Sequence, residues 1–337
     1  MKMKLTRRGF SVGALALSCM ISSASGIALA QDKVKLRMST PASETDQRSV
    51  ALAEVFGPEV SEFAIYEPHY NASLIAQGSE LESIATGDLE MSIASAQELA
   101  TFFPEFSIFT AGYVHQSAEH QVAVFNDAVM DPFKQKVEDE LGVKLLAVMY
   151  LGKRHVNLRF PRSEKDVKTP EDLAGVNLRM PGTDAWQFLG RALGANPTPM
   201  AFTEVYTALQ TGSVDGQDNP LPTVVDAKFY EVTKQVALTQ HLVDLNYIAF
   251  SKAVWDELSE EQQKAVEKAA VDAAESAREA QLKKEEELVA FLEEQGLELY
   301  EPDLEAFRSH VQKAYLESDL AASWPDGALD RINELAK

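Results

Sequence analysis

From Ser259 to Gly296 the chain runs without a proline or an internal glycine. Ser259 and Gln262 have the spacing of a capping box, and Gly296 supplies the stop. A helix of about 35 residues is roughly 50 Å long, whereas a domain of about 150 residues is only about 40 Å across. This helix is therefore expected to lie along two domains. The chain has 337 residues, beyond the size at which one core keeps growing. The charged middle of the helix, Lys283 to Glu287, reads as a solvated face.

Ahead of that helix, short strand patterns alternate with helical ones. Lys33 to Ser39 alternates with Val34, Leu36 and Met38 on one face, a strand signature. Ser49 to Glu62 reads as a helix and Ala64 to His69 as a second strand. Ser79 opens a helix that Gly87 stops, and Leu89 to Ala94 reads as a third strand. Ala118 to Leu141 reads as one helix, and Lys144 to Tyr150 as a strand ending in Gly152. Val236 to Thr239 and Tyr247 to Ser251 read as two further strands, and helical patterns around Phe307–Tyr315 and Leu329–Leu335 close the chain. Such alternation predicts an α/β fold with a largely parallel sheet. Phe102 to Tyr113 is rich in aromatics that suit core packing. His115 and His120, five apart, do not align as metal ligands on one helix face.

Residues 1–30 read as an export leader. Lys2, Lys4, Arg7 and Arg8 precede an apolar run from Val12 to Ile21, and Ala28-Leu29-Ala30 suits cleavage before Gln31. Thr6-Arg7-Arg8-Gly9-Phe10 carries a twin-arginine signature. Cys19, the only cysteine, lies inside this leader, so a processed chain has no thiol for a disulfide, a nucleophile or a metal site. Removing the four leader cations takes the net charge from −21 to −25. That balance argues against nucleic-acid and anionic-membrane partners. No other stretch is long and apolar enough to span a bilayer, so a soluble periplasmic protein is expected.

The segment Leu178 to Pro220 places an arginine at one end, Arg179, and an asparagine at the other, Asn219. Between them are helical patterns around Trp186, Phe188, Leu189 and Leu193, and around Phe202, Val205, Tyr206 and Leu209. A strand–helix–helix–strand arrangement brings the two ends together at one cleft. The ordered string Leu178-Arg179-Met180-Pro181, Gly194-Ala195-Asn196-Pro197-Thr198-Pro199-Met200, Phe202, Glu204-Val205-Tyr206, Leu209-Gln210, Gly212, Val214-Asp215-Gly216 and Asn219-Pro220 closely resembles the solute-binding proteins of tripartite ATP-independent periplasmic (TRAP) transporters, of the dicarboxylate-binding type. The resemblance extends through Lys228 to Val232 and is looser over residues 32–150.

The resemblance implies a two-domain α/β clamp with crossover strands. Its first domain would hold residues 32–152 and about 245–283, its second 153–244 and about 284–337. It also implies capture of a small organic acid and delivery to two membrane permease subunits, with no cofactor, metal or catalytic role and a monomeric chain. Arg179 matches the family's carboxylate-binding arginine, and a guanidinium offers two parallel donors to a carboxylate. Arg154 matches a second family arginine, with Arg159 as a nearby rival. Asn219 would offer an amide, and Phe202 would wall the pocket. From the first domain, Glu80, Asn71 and His69 are candidates, Glu80 as a hydroxyl acceptor.

Phosphate-binding glycine loops, a nucleophile elbow and a triad are all absent from the sequence. An extracytoplasmic enzyme acting on organic acids and a ligand-sensing subunit are the alternatives; turnover of a bound ligand would mark the first. The sequence does not choose among dicarboxylate, hydroxy or keto acid, sugar acid, sulfonate and compatible solute.

Overall fold

The computed structural model describes residues 33–336; the leader, its cleavage site and Cys19 lie outside them. Nine strands form one sheet: β1 (Val34–Ser39), β2 (Ala64–His69), β3 (Met91–Ser95), β4 (Val143–Leu158), β5 (Asn177–Met180), β6 (Asn196–Pro199), β7 (Gly216–Asn219), β8 (Gln235–Ser251) and β9 (Glu298–Tyr300). Their order is β2-β1-β3-β8-β4-β7-β5-β6, with β9 beside β8. β1, β2 and β3 are mutually parallel, and so are β5, β6 and β7. β8 and β4 join the two sets as antiparallel neighbours. In β1 the inward residues are Leu36 and Met38, as the alternation requires.

β4 and β8 are each one continuous strand where the sequence reading saw an end at Gly152 and two separate strands. Gly152, at φ 127°, bends β4 without ending it, and the pair re-registers at three irregularities. β8 carries Thr239, His241, Asp244 and Asn246 buried in its middle. Polar residues in that number break a strand pattern, yet here Asp244 pairs with Arg154 on β4, His241 with Asp218 on β7, and Asp244 and Asn246 line a cavity. Both strands are covered on both faces, which removes the alternation that marks a half-exposed strand.

A second departure is the region 118–141. It splits into helices Ala118–Asn126 and Asp131–Leu141, because Asp127 has an extended backbone, caps Val129 N–H with its side chain, and precedes Pro132. β6, on the far edge, lies between the two helical patterns, where the sequence reading assigned no strand.

The long helix covers Glu260–Glu294 with its capping box formed. Its first half buries Val266, Ala269, Ala270, Ala273 and Ala277 against Leu52, Phe56, Met149 and Phe250. Its last turns bring Leu288 and Leu292 to Val205, Leu209, Val224 and Phe229. The helix thus closes one core beside the β1 set and another beside the β7 set. Its middle is not wholly solvated. Glu285 accepts from Tyr150 Oη at 2.5 Å and Lys153 N at 2.7 Å, and Lys284 pairs with Asp226 at 3.6 Å. Among the described residues no helix is long and apolar enough to cross a membrane.

Candidate functional site

In open sheets, ligands bind beyond the carboxyl ends of the strands, where the connections diverge. Here the carboxyl ends of both parallel sets face one cavity of about 310 Å³. Thr40, Asp46 and Arg48 follow β1, Asn71 and Gln77 follow β2, and Ser95 and Glu98 follow from β3. Arg179 and Pro181 come from β5, Phe202 and Tyr206 follow β6, and Asn219 ends β7. Arg154 on β4 and Asp244 and Asn246 on β8 complete the floor.

Arg179 is 1% exposed. Its Nε and Nη2 both donate to Met200 O, at 3.0 and 2.7 Å, and Phe202 lies 5.8 Å from its guanidinium. Among the described residues no carboxylate pairs with it. Burial pulls its pKa down to about 9; Asp218 opposes that shift, and neighbouring Arg154 adds to it. The group is still a cation at neutral pH, held dry and uncompensated, which is costly unless an anion arrives. Asp215, a possible internal partner, instead accepts from Asn177 N.

Arg154 lines the same cavity, but its charge is already met. Its Nε reaches Asp244 Oδ2 at 2.7 Å, and its Nη1 reaches Asp218 O at 2.6 Å. Burial disfavours its charge, yet Asp244 and Asp218 outweigh that and raise its pKa. Trp186 stacks 4.4 Å from it. The sequence reading gave Arg154 an anion to hold; the structure gives it two internal ones. Arg159 does not line the cavity; it packs over Gly212 and Phe160.

Asn219 lines the cavity, with its amide donating to Gln217, which in turn donates to Asn157. Phe202 is both wall and packing, with Phe229 edge-on at 5.7 Å. Its backbone N–H donates to Gln77 Oε1 at 2.7 Å across the cavity. Asn71 lines the cavity from a turn at φ 56°.

Glu80 is a correction. It is buried, yet it stops short of the cavity wall: its Oε2 accepts from Gly78 N and its Oε1 has no partner among the described residues. Glu98, one layer nearer, lines the cavity. It closes a capping box with Ser95 through Oε2. Burial and the nearby Glu98 push Glu80 up to about 8. His69 pairs with Glu67 at 3.1 Å and does not line the cavity.

Five charged lining residues went unread in the sequence: Asp46, Arg48, Glu98, Asp226 and Asp244. Asp46 caps the helix after β1 and holds Arg48 through Nε and Nη2; Arg48 also donates to Asn246. Burial works against the Asp46 charge, but Arg48 outweighs it and lowers the pKa. Asp226 ends the helix Leu221–Asp226. Burial and Asp46 push it up to about 6 against the pull of Lys284. The crevice rule was the available signal: a strand ending at Ser39 places residues 40–48 at the cleft.

The family model for bacterial extracellular solute-binding protein, family 7 (DctP), matches residues 61–319. The sialic acid-binding periplasmic protein of Vibrio cholerae is 30% identical over 92% of this chain and 95% of its own length. A TRAP periplasmic solute-binding protein from Roseobacter denitrificans, solved with 3-deoxy-D-manno-oct-2-ulosonic acid, is 80% identical, with TM-score 0.90, over 90% of this chain and 100% of that one. A second, from R. denitrificans OCh 114 and solved with L-galactonate, is 29% identical, with TM-score 0.80, over 90% and 99%. An uncompensated arginine in a cavity between two parallel strand sets agrees with these likenesses, and the chain belongs to the family 7 (DctP) bacterial extracellular solute-binding proteins, those of TRAP transporters.

Proposed function

We propose that this protein captures a polyhydroxylated monocarboxylic acid of the 3-deoxy-oct-2-ulosonic acid type in the periplasm. It passes the ligand to TRAP membrane permease subunits and performs no chemistry on it. The observation that carries the reading is Arg179, a buried cation that opens on the cavity and has no acid partner among the described residues. A carboxylate there gains a charge-assisted contact in a dry site. The remaining wall mixes acceptors such as Glu98 and Asp226 with the amides of Asn71 and Asn219, a lining suited to many hydroxyls. The volume falls at the small end for ligand sites. An 80%-identical protein holds the eight-carbon keto acid, which supports that ligand over shorter acids.

Loading such a cavity requires an opening motion. The two lobes proposed to move are residues 32–152 with about 245–283, and 153–244 with about 284–337, flexing where β4 and β8 cross between them.

The test is titration calorimetry of the mature protein with 3-deoxy-D-manno-oct-2-ulosonate, L-galactonate, sialic acid and succinate. Binding of the eight-carbon acid at micromolar or tighter dissociation constants, ahead of the others, is expected. Binding of succinate alone would overturn the reading. Unchanged ligand recovered after prolonged incubation distinguishes binding from turnover.

A further inference from the structure

Leu151 and Arg154 both line the cavity, although they lie three apart on β4. A regular strand sends residues an odd number apart to opposite faces. The pairing with β8 resolves this. Tyr150 stands opposite Leu245 and Gly152 opposite Asp244, so Leu151 is one residue extra. The bulge reverses the phase of β4 from Gly152 onward. Tyr150 therefore turns toward the long helix, and Arg154 turns toward Asp244, which its Nε reaches at 2.7 Å. The groups of the bulge are held by two side chains of that helix. Gln281 Nε2 donates to Leu151 O. Glu285 Oε1 accepts from Lys153 N at 2.7 Å, and its Oε2 accepts from Tyr150 Oη at 2.5 Å. Gln281 and Glu285 are one helical turn apart, so both face the strand. Gln281 is buried, and neither residue lines the cavity.

We propose that Gln281 and Glu285 are positioning residues for ligand binding: they pin the β4 bulge and thereby hold Arg154 and Asp244 in the cavity floor. This rests on the reading of that cavity as the ligand site. The pair offers one donor and two acceptors, which match the Leu151 carbonyl, the Lys153 amide and the Tyr150 hydroxyl. A buried backbone group left unpaired is costly, so the bulge stays where these side chains meet it. Without them the extra residue can shift along β4, and every side chain it passes changes face. Arg154 is the next cavity residue on that strand. Gly152 fits the same arrangement, since a Cβ there would press on both Pro220 and Glu285.

Two measurements on the full mature protein test this. Calorimetry with 3-deoxy-D-manno-oct-2-ulosonate and L-galactonate reads affinity. Fluorine NMR of fluorotryptophan-labelled, ligand-free protein reads the floor itself, because Trp186 lies 4.4 Å from the Arg154 guanidinium. Trp255→Phe and Trp324→Phe assign the other two tryptophans. Glu285→Leu and Gln281→Leu should each weaken binding on the order of tenfold and shift the Trp186 signal. Glu285→Gln keeps an acceptor for Lys153 N–H and offers a donor to the Tyr150 oxygen, so affinity should return to within about threefold of wild type. Ala270→Gly, in the other half of the helix, should lower the melting temperature and leave affinity and the Trp186 signal unchanged. Unchanged affinity and signal in folded Glu285→Leu and Gln281→Leu, or equal losses in Ala270→Gly, overturn the proposal. If Glu285→Leu does not fold, Gln281→Leu and Tyr150→Phe decide by the same two readouts. If wild type binds neither acid, the sugar-acid reading fails, and the ligand-free Trp186 signal still decides whether the helix sets the floor.

Discussion

Arg179 gives two of its donors to one acceptor, the carbonyl oxygen of Met200, at 3.0 and 2.7 Å. This fork fixes the guanidinium plane while leaving the charge unneutralised, so the ligand meets a pre-oriented cation. Arg179→Ala should weaken binding by on the order of 3–5 kcal/mol, two to four decades. Arg179→Lys should recover part of that loss, because an ammonium is a point charge without the fork. At 1% exposure Arg179 is largely out of reach of solvent in the ligand-free protein. Truncation therefore removes a desolvated cation, and the ligand-free melting temperature should hold or rise slightly. Calorimetry and a thermal melt of the same preparation check both statements; wild-type affinity in folded Arg179→Ala would move the anion elsewhere.

Gly152 permits the close approach on which the cavity floor depends. A Cβ at this position would stand 2.6 Å from Pro220 Cβ and 2.7 Å from Glu285 Oε1, at a φ of 127°. Pro220 follows Asn219, and Leu151 and Arg154 flank the glycine. Gly152→Ala should cost at least about 2 kcal/mol of stability and also weaken ligand binding. Gly142→Ala is the control. That residue also has positive φ, at 67°, but no atom lies within 4 Å of the added carbon, so a loss of about 1 kcal/mol and unchanged affinity are expected. Denaturant unfolding of the two variants separates strain from collision.

Stability should fall as pH rises through the range in which Glu80 titrates. Its pKa goes from 4.5 to about 8 on folding, through burial and the nearby Glu98. Between those values the folded protein retains a proton that the unfolded chain has released. Stability from this group is thus complete below pH 4.5 and lost as pH approaches 8, by roughly 1.4 kcal/mol per unit. Glu80→Gln keeps an acceptor for Gly78 N–H and never ionises. Melting temperatures should match wild type near pH 4.5 and exceed it at pH 8.5. A constant difference across that range would show that Glu80 is not the titrating group.

What the sequence revealed and what it hid follow from how each residue uses its chemistry. The long helix was legible because capping, length and the absence of breakers are local properties, and Arg179 and Asn219 because they sit in an extended ordered string. Asp46, Glu98 and Asp226 were hidden because each also has an ordinary local role: helix cap, capping-box partner and helix end. Only the sheet order brings them to one cavity. Glu80 was misplaced by one layer, since a sequence cannot say which of two buried carboxylates faces the opening. β8 was read as two strands because its central residues are polar, and they are polar because they line the cavity and pair with Arg154 and Asp218.

Gln77 and Phe202 are 125 residues apart in sequence and joined by one hydrogen bond, from Phe202 N–H to Gln77 Oε1 at 2.7 Å. Gln77 belongs to the connection after β2, and Phe202 to the one after β6, the two outermost strands of the sheet. Both residues line the cavity, so the bond ties its opposite walls. The connection bearing Gln77 is itself anchored: Asn71 N donates to Ala42 O, and Ala72 N to Thr40 O. That requires positive φ at two successive non-glycine residues, 56° and 53°, a conformation held only by surrounding contacts. A hydrogen bond of this kind contributes about 1 kcal/mol net. Gln77→Ala should therefore raise the ligand dissociation rate about fivefold, with the association rate nearly unchanged, as expected of a bond between the walls that must break for the ligand to leave. Gln77→Glu keeps the acceptor and should restore most of the residence time. Stopped-flow displacement measures both rates, and a change confined to association would show that the bond steers entry instead of retaining the ligand.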